Sequence, residues 1–559
     1  MAFLLSAVIF MVWSALFPPA APPVKHQATE VPTAEPVPEV APERTLPPAP
    51  EGEAESAAGV PGDAPPAVTD AIEAFSEEEI VLENGNLHVV LTNRGAAITS
   101  LILKGYEDDE GRPLDLIQTV DDPRRALPFQ LVGSGKVDRR LYSAERQGNS
   151  VTFRWSDGTS EEVVTTITLE ENSYFIDIKV VINGKPSMTE IAVGTGMRDI
   201  GETEKANRFA TWGDVVVLEG GELEKYHRKK VKEITRIDGP TVAFAGFEDT
   251  YFLDVLRPSV PLAGVTIVPL ELAAPAEAAE DGARKKEKEE DRRVLQVLLR
   301  PESPGFEGTL FAAPKEYDLL QQVDHGVEET LHFGIFHPIS VIFLKVLRWI
   351  HGFVGNWGLA IILLTVLIRA VLFPLMHTST VSMRKMQKLQ PKVKAIQEKY
   401  RKHKGDPQMR AKMNQEMMEL YKVEGVNPMG GCLPMLVQLP ILWALYTLFA
   451  YAIELRHAPF VFWIHDLSAR DPYYITPVLM TATMWLQQKL APQAGDPQQQ
   501  KMFRMMPLIF GIMFLGFPSG LVLYWLTNNV LTIIQQEITF HLIGERKKGG
   551  SSAGKGGKR

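Results

Sequence analysis

Cysteine is almost missing from this sequence: its 559 residues hold one, Cys432. No intrachain disulfide is available, and no cysteine–histidine spacing for structural zinc exists. Any exported domain must therefore be held by its own core. No HExxH helix is present, which removes the usual metalloprotease signature. One phosphate-loop-like string occurs, Gly549-Gly550-Ser551-Ser552-Ala553-Gly554-Lys555-Gly556, but it ends in Gly where Ser or Thr is required. It follows no strand and lies in a Gly/Ser/Lys-rich tail, so it reads as a flexible basic tail. With no nucleophile–base set, no metal cluster and no cofactor motif, the chain reads as a non-enzyme that carries no cofactor.

Acidic residues are scarce in one half only. Residues 336–559 hold 26 Lys+Arg and 11 Asp+Glu, against 32 and 57 in residues 1–335, so net charges of +15 and −25 sum to the chain's −10. A basic, apolar half joined to an acidic half points to two compartments, because membrane proteins keep Lys and Arg on the cytoplasmic side.

Residues 2–17, AFLLSAVIFMVWSALF, form an apolar run that reads as a signal anchor or, given Ala20-Ala21, a cleaved signal peptide. The domain plan takes 1–17 as the anchor. Residues 18–77 hold 14 prolines in 60 positions and too little apolar surface to fold, so they read as an extended spacer. Residues 78–330 alternate apolar and polar: Leu87, Val89 and Leu91; Val151, Phe153 and Trp155; Val163 to Leu169; Tyr174 to Ile182. This period of two, with Gly/Asn/Asp punctuation, predicts antiparallel strands in a large sandwich. Residues 276–293 read as a charged loop, Pro314–Leu320 as a short closing helix, and Gly194-Thr195-Gly196 as a turn.

Residues 337–354 carry a strip of His337, Lys345 and Arg348 on an otherwise apolar helix. Such a helix lies in the interface or extends the next span outward. Spans are expected near 357–376, 431–453, 473–490, 503–517 and 519–540. The connection 377–430 holds 12 Lys+Arg against 5 acids, and the tail from His541 holds six Lys+Arg. The positive-inside rule puts both in the cytoplasm and the β domain outside. Within the first connection, Met383, Met386, Val393, Ile396 and Tyr400 mark one helical stripe, and Met409, Met413, Met417 and Leu420 a second. Gly405-Asp406-Pro407 separates them, which predicts a hairpin over 378–424. Its methionines either bind varied apolar partners or pack the two arms together. A basic segment, 542–559, closes the plan.

One full charge, Arg369, sits inside the apolar stretch Asn356–Leu375, with Thr365 one turn earlier. An arginine there costs about 2.5–3.5 kcal/mol on insertion scales. It either snorkels to the inner interface or faces a polar cavity. Gln438 and Thr447, then Thr476, Thr483, Gln487 and Gln488, then Tyr524, Asn528, Thr532 and Gln535 with Trp525 beside them, give other spans polar faces. That favours a cavity. A transporter or channel that binds a small anion at Arg369 is the competing reading; no repeat supports it.

The stretches NWGLAIILLTVLIRAVLFPL, KMQKLQPKVKAIQEKY, LYKVEGVNPMGGCLPMLVQLPILWALY, LRHAPFVFWIHDLSARDPYYITPVLM and FPSGLVLYWLTNN resemble the YidC/Oxa/Alb family of membrane protein insertases. GFEDTYFLDVL and PKEYDLL extend the resemblance to its Gram-negative branch. The resemblance implies an α+β membrane protein of the inner membrane, with a periplasmic β-supersandwich similar to sugar-binding folds. It implies a five-helix transmembrane core and both termini in the cytoplasm. It further implies a groove open to cytoplasm and lipid, lined by Arg369, Thr365, Tyr524 and Trp525, the last standing where tyrosine is common. The implied partners are nascent membrane proteins, the Sec translocon, the translating ribosome and the bilayer.

Overall fold

A computed structural model describes residues 71–552 except 185, 188, 206–209, 239, 273–291, 324–325, 332, 402–405, 427–432 and 491–496. The expected anchor 1–17 and nearly all of the spacer lie outside the described residues. So do most of the charged loop 276–293, Gly405 of the hairpin break, and the tail from 553.

The alternating segments form strands because every second side chain meets a common core. Leu87–Thr92, Ser150–Asp157, Glu161–Leu169 and Phe175–Gly184 each bury one face. Their register stacks that face: Val163 lies between Trp155 and Ile182, and Ile167 between Val151 and Ile178. Three antiparallel sheets of ten, six and four strands result. Leu87, Val151, Ile167, Val193, Val265 and Leu299, drawn from all three, share one apolar cluster. That is sheet-on-sheet packing, in which inward residues interdigitate.

Four boundaries differ from the sequence expectation. Ala71 and Ile72 pair with Asp157 and Ser156, so the spacer's last residues already belong to the β domain. Gly194 and Thr195 end a strand, Glu190–Thr195, rather than forming a turn. The buried Thr195 hydroxyl holds them there by donating to Ala126 O at 2.9 Å and meeting Gln296 Oε1 at 2.9 Å. Arg293, expected in the charged loop, opens the strand Arg293–Pro301 and is buried against Glu271 at 3.0 Å. Pro314 ends a strand, and the closing helix starts at Tyr317.

The helices are α1 (Glu202–Lys205), α2 (Tyr317–Gln322), α3 (His337–Val354), α4 (Trp357–Lys399), α5 (Pro407–Val423), α6 (Leu433–Tyr451), α7 (Ile475–Leu490), α8 (Pro497–Phe514) and α9 (Ser519–Ser552). The phosphate-loop-like string begins inside α9, so its first residues are helical and not a loop. The basic strip of α3 faces protein rather than water. Arg348 Nε donates to Glu454 at 2.8 Å and Nη1 to Asp318 at 2.5 Å, while Lys345 lies 5.3 Å from the Tyr317 ring centre. Ser340 of α3 donates to Ala444 O on α6 at 3.0 Å and meets Thr447, which takes that threonine out of the polar cavity.

Asn356 caps α4 by accepting from Leu359 N at 3.0 Å. Gly358 admits the Phe460 ring, because a Cβ there would lie 2.1 Å from it. α4 then runs 43 residues, about 65 Å, twice a bilayer core of about 30 Å. The expected span and the first hairpin arm are therefore one helix, with Pro374 inside it. It is apolar on both sides: Ile361, Leu364 and Ile368 are buried, while Leu363, Val366, Leu367 and Val371 are exposed, Val371 at 72%. A water-soluble helix shows a polar outer face; a helix apolar all round belongs in lipid. It is long and apolar enough to cross a membrane, and Leu436–Tyr451 and Arg504–Phe514 are shorter apolar helices.

In the hairpin, Asp406 caps α5 by accepting from Gln408 N at 2.8 Å. Met383, Met386, Met409, Met413 and Met417 are half-buried, while Met418 is 51% exposed. Lys392–Glu424 and Lys399–Glu416 pair across the two arms at 2.6 and 2.9 Å.

The described residues all fall in one compact unit, so the β domain and the helices have a defined junction. Val216, Phe244, Val255 and Phe311 of the ten-stranded sheet share an apolar cluster with Leu344 and Leu347 of α3 and Leu448 of α6. Beside it lies a buried chain of charges. Arg456, in the loop after α6, donates from Nε to Glu204 at 2.8 Å and from Nη1 to Glu107 O at 2.8 Å. The other Glu204 oxygen accepts from Arg198, which also donates to Asp249. Asp249 in turn accepts from Tyr251 N and Phe252 N at 2.6 and 2.7 Å. Burial alone would lower the Arg198 guanidinium, but the Asp249 and Glu204 carboxylates reverse this and hold it above its ordinary value. The loop that carries Arg456 also holds His457, Phe462 and Tyr474 at positive φ, near +55°. Such backbone costs about 1–3 kcal/mol per residue and persists only where neighbours over-determine it.

Candidate functional site

α4 and α9 both start at the junction side, since Ser519 N donates to Ala469 O at 2.7 Å and Gly520 N to Leu467 O at 2.8 Å in the loop between α6 and α7. They run side by side in the same direction, and polar groups recur along their seam. Arg369 Nε donates to Asn528 Oδ1 at 2.8 Å, and its Nη2 to Asn528 O at 3.3 Å and to Thr532 Oγ1 at 2.5 Å. One turn on, Gln535 donates to Phe373 O at 3.4 Å, and beyond it His377 meets Thr539 at 3.2 Å. The spacing 369, 373, 377 on α4 against 528, 532, 535, 539 on α9 is helical on both sides, so the seam is a ladder.

Arg369 is half-buried, 12 residues into α4, or about 18 Å from its start. Its partners are all neutral, and no carboxylate pairs with it among the described residues. Charge-assisted hydrogen bonds contribute about 1.5–3 kcal/mol each, enough to offset the cost of placing the arginine there. They leave its full positive charge in place. They also use one edge of the guanidinium; the two Nη1 hydrogens take no part in the described bonds.

The other expected groove residues divide. Tyr524 is buried and accepts from Gln438 Nε2 of α6 at 2.5 Å, so these two close the seam on the α6 side. Thr365 is 1% exposed and donates to Ile361 O at 2.7 Å within its own helix. It is not offered to the seam, because a threonine in a helix can bond back to the carbonyl four residues earlier. Trp525, one residue from Tyr524, turns about 100° away and packs on Phe514 at 5.2 Å and Phe510 at 6.1 Å of α8. Gln487 and Gln488 are half-buried in the last turn of α7. Thr476 donates to Asp471 at 2.7 Å at the start of α7 and is spent there.

Asn529, His377 and Thr539 were not singled out in the sequence. Asn529 is 3% exposed and donates to Met480 O at 3.4 Å and Thr483 Oγ1 at 3.2 Å, which ties α9 to α7. Two adjacent asparagines were the available signal. They point about 100° apart on a helix, so each serves a different neighbour.

Apolar helices with lipid-type outer faces around a polar seam, joined to a β-sandwich, define an integral membrane protein. Comparison with known proteins gives the family. Residues 349–546 match the family model described as 60Kd inner membrane protein, and residues 79–346 match that of the YidC periplasmic domain. The protein of Geobacter metallireducens named membrane protein insertase YidC is 35% identical over 96% of each chain. That of Syntrophus aciditrophicus, of the same name, is 34% identical over 96% of this chain and 98% of its own. A solved structure titled as an active YidC insertase with the first transmembrane domain resolved covers 84% of this chain and 95% of its own, at 21% identity and a TM-score of 0.35. This chain belongs to the YidC family of membrane protein insertases. It is an inner-membrane protein with a β-rich periplasmic domain and a helical core.

Proposed function

We propose that the protein inserts membrane proteins into the bacterial inner membrane and helps them fold, and that the α4–α9 seam lines a hydrophilic groove for them. The observation that carries this is Arg369: a cation on an apolar helix, held by neutral acceptors, with hydrogens left over. In the proposed topology α4, α6, α7, α8 and α9 are five spans, residues 2–17 add a sixth, and both termini are cytoplasmic. α3 lies in the outer interface, against the β domain. The basic residues of the hairpin support this orientation.

A polar or acidic segment of a nascent chain enters the groove from the cytoplasm and is held transiently at Arg369. α7 is 16 residues, about 24 Å, and so shorter than the hydrocarbon core. Short spans thin the bilayer beside them and shorten the remaining path. The substrate's apolar segment then partitions into lipid, at about 25 cal/mol per Å2 buried. The membrane potential moves each acidic group outward with roughly 2.3 kcal/mol per 100 mV. No nucleotide hydrolysis is needed. The basic tail suits polyanionic ribosomal RNA, and the Sec translocon is the second partner, for substrates too polar for the groove alone.

The test is reconstitution. Purified protein in liposomes is expected to give protease-protected insertion of a short single-span protein with an acidic outer segment. Insertion no greater than in empty liposomes contradicts the proposal.

A further inference from the structure

The inference rests on the groove reading above and concerns what sets its selectivity. Arg369 does not hang freely into the seam. Asn528 takes two of its hydrogen bonds, one on the side-chain oxygen and one on the backbone carbonyl, and Thr532 takes a third. Thr532 is itself fixed, since its hydroxyl donates to Asn528 O at 2.7 Å while accepting from Arg369. Both rotamers are thereby locked, and with them the plane of the guanidinium. A planar fork held along its Nε/Nη2 edge can present only the opposite side, carrying Nη1, to a visitor.

We propose that Asn528 and Thr532 are positioning residues that aim the Nη1 side of Arg369 into the groove, and that their neutrality makes the site selective for carboxylate-bearing segments. Two features of the pair carry this. The acceptors come from one helix, α9, one turn apart, so they define a direction as well as a depth. Neither acceptor is ionisable, so the cation keeps its whole charge for a carboxylate. An aspartate at 528 would have nearly the same shape and would hold the guanidinium at least as tightly, but as an internal ion pair it would cancel the charge. The neutral amide is what separates a held cation from a spent one.

The experiment uses full-length protein in liposomes and two substrates that share one apolar helix. One has two aspartates in its translocated segment; the other has two asparagines. The readout is the ratio of protected acidic to protected neutral substrate. Asn528→Asp is expected to lower this ratio about tenfold, although the variant folds at least as stably. Asn528→Ala and Thr532→Val, which release the guanidinium, are expected to lower it several-fold. Asn528→Ser, which restores a side-chain acceptor, is expected to recover most of the loss, and a merely structural contact would not track acceptor chemistry in this way. A wild-type ratio in Asn528→Asp overturns the inference. So does a ratio that falls equally in Asn528→Ala and Asn528→Ser. Arg369→Ala is run alongside. If it leaves the ratio at wild type, the groove reading itself fails; if it collapses the ratio while Asn528→Asp does not, only the positioning inference fails.

Discussion

The structure buries arginines in two ways, and the contrast separates architecture from function. At the junction, Arg456 and Arg198 sit among Glu204 and Asp249, and each positive charge meets a negative one. In the bundle, Arg369 meets an amide, a carbonyl and a hydroxyl. A neutralised network fixes geometry. It holds the β domain against the loop between α6 and α7. A cation without a counter-charge fixes little that a neutral group could not. Under the proposed function, that free charge is what meets an arriving segment.

The largest expected effect breaks the junction side of this comparison. Arg456→Ala leaves Glu204 buried with part of its pairing lost, and removing one member of a buried pair typically costs about 3–5 kcal/mol. Thermal unfolding in detergent should report this, together with faster proteolysis of the loop after α6. An unchanged melting temperature would mean that the network is not what joins the two parts.

Next comes Asp254, in the strand beside that network. It is buried, its Oδ1 has no partner among the described residues, and burial raises its carboxyl from the ordinary 3.8 to about 7. Between those values the folded protein keeps a proton that the unfolded chain has released. Stability therefore falls as pH rises through this window and is level above it. Asp254→Asn should leave stability at pH 4 unchanged and raise it by roughly 2–4 kcal/mol at pH 8. Equal effects at both values would remove Asp254 as the cause. Smaller again is Gly358→Ala, whose added methyl meets Phe460. Displacing that ring is expected to cost about 1–3 kcal/mol, measurable as a lower melting temperature. Smallest is Lys399→Ala in the hairpin, where the exposed pair with Glu416 screens away in water and no resolvable change in melting is expected.

Local pattern was legible in the sequence, and long-range partnership was not. The strands at Leu87, Val151, Val163 and Ile176 follow from alternation, because a sheet buries every second residue wherever the chain goes. Arg369 stood out for its cost in an apolar run. Its partners did not, since Asn528 and Thr532 lie about 160 residues away and polar residues on other spans looked equally eligible. Thr365 was placed with Arg369 by one-turn spacing, yet its hydroxyl is satisfied by Ile361. Spacing places a side chain on a face and does not say whether the hydroxyl bonds outward or back. The basic strip of α3 marked a helix of the interface, but not its ion pairs, because the acids that meet Arg348, Asp318 and Glu454, lie on other elements. Nothing local marks Arg456 for burial, because its partners Glu204 and Glu107 are some 250 and 350 residues upstream.

The most direct measurement compares insertion by wild type, Arg369→Lys and Arg369→Ala in liposomes, using a single-span substrate with an acidic outer segment, alongside the melting temperature of each. The account predicts that Ala lowers protected insertion at least tenfold, that Lys retains most of it, and that neither shifts melting as Arg456→Ala does. Wild-type insertion by Arg369→Ala would contradict the account at its centre.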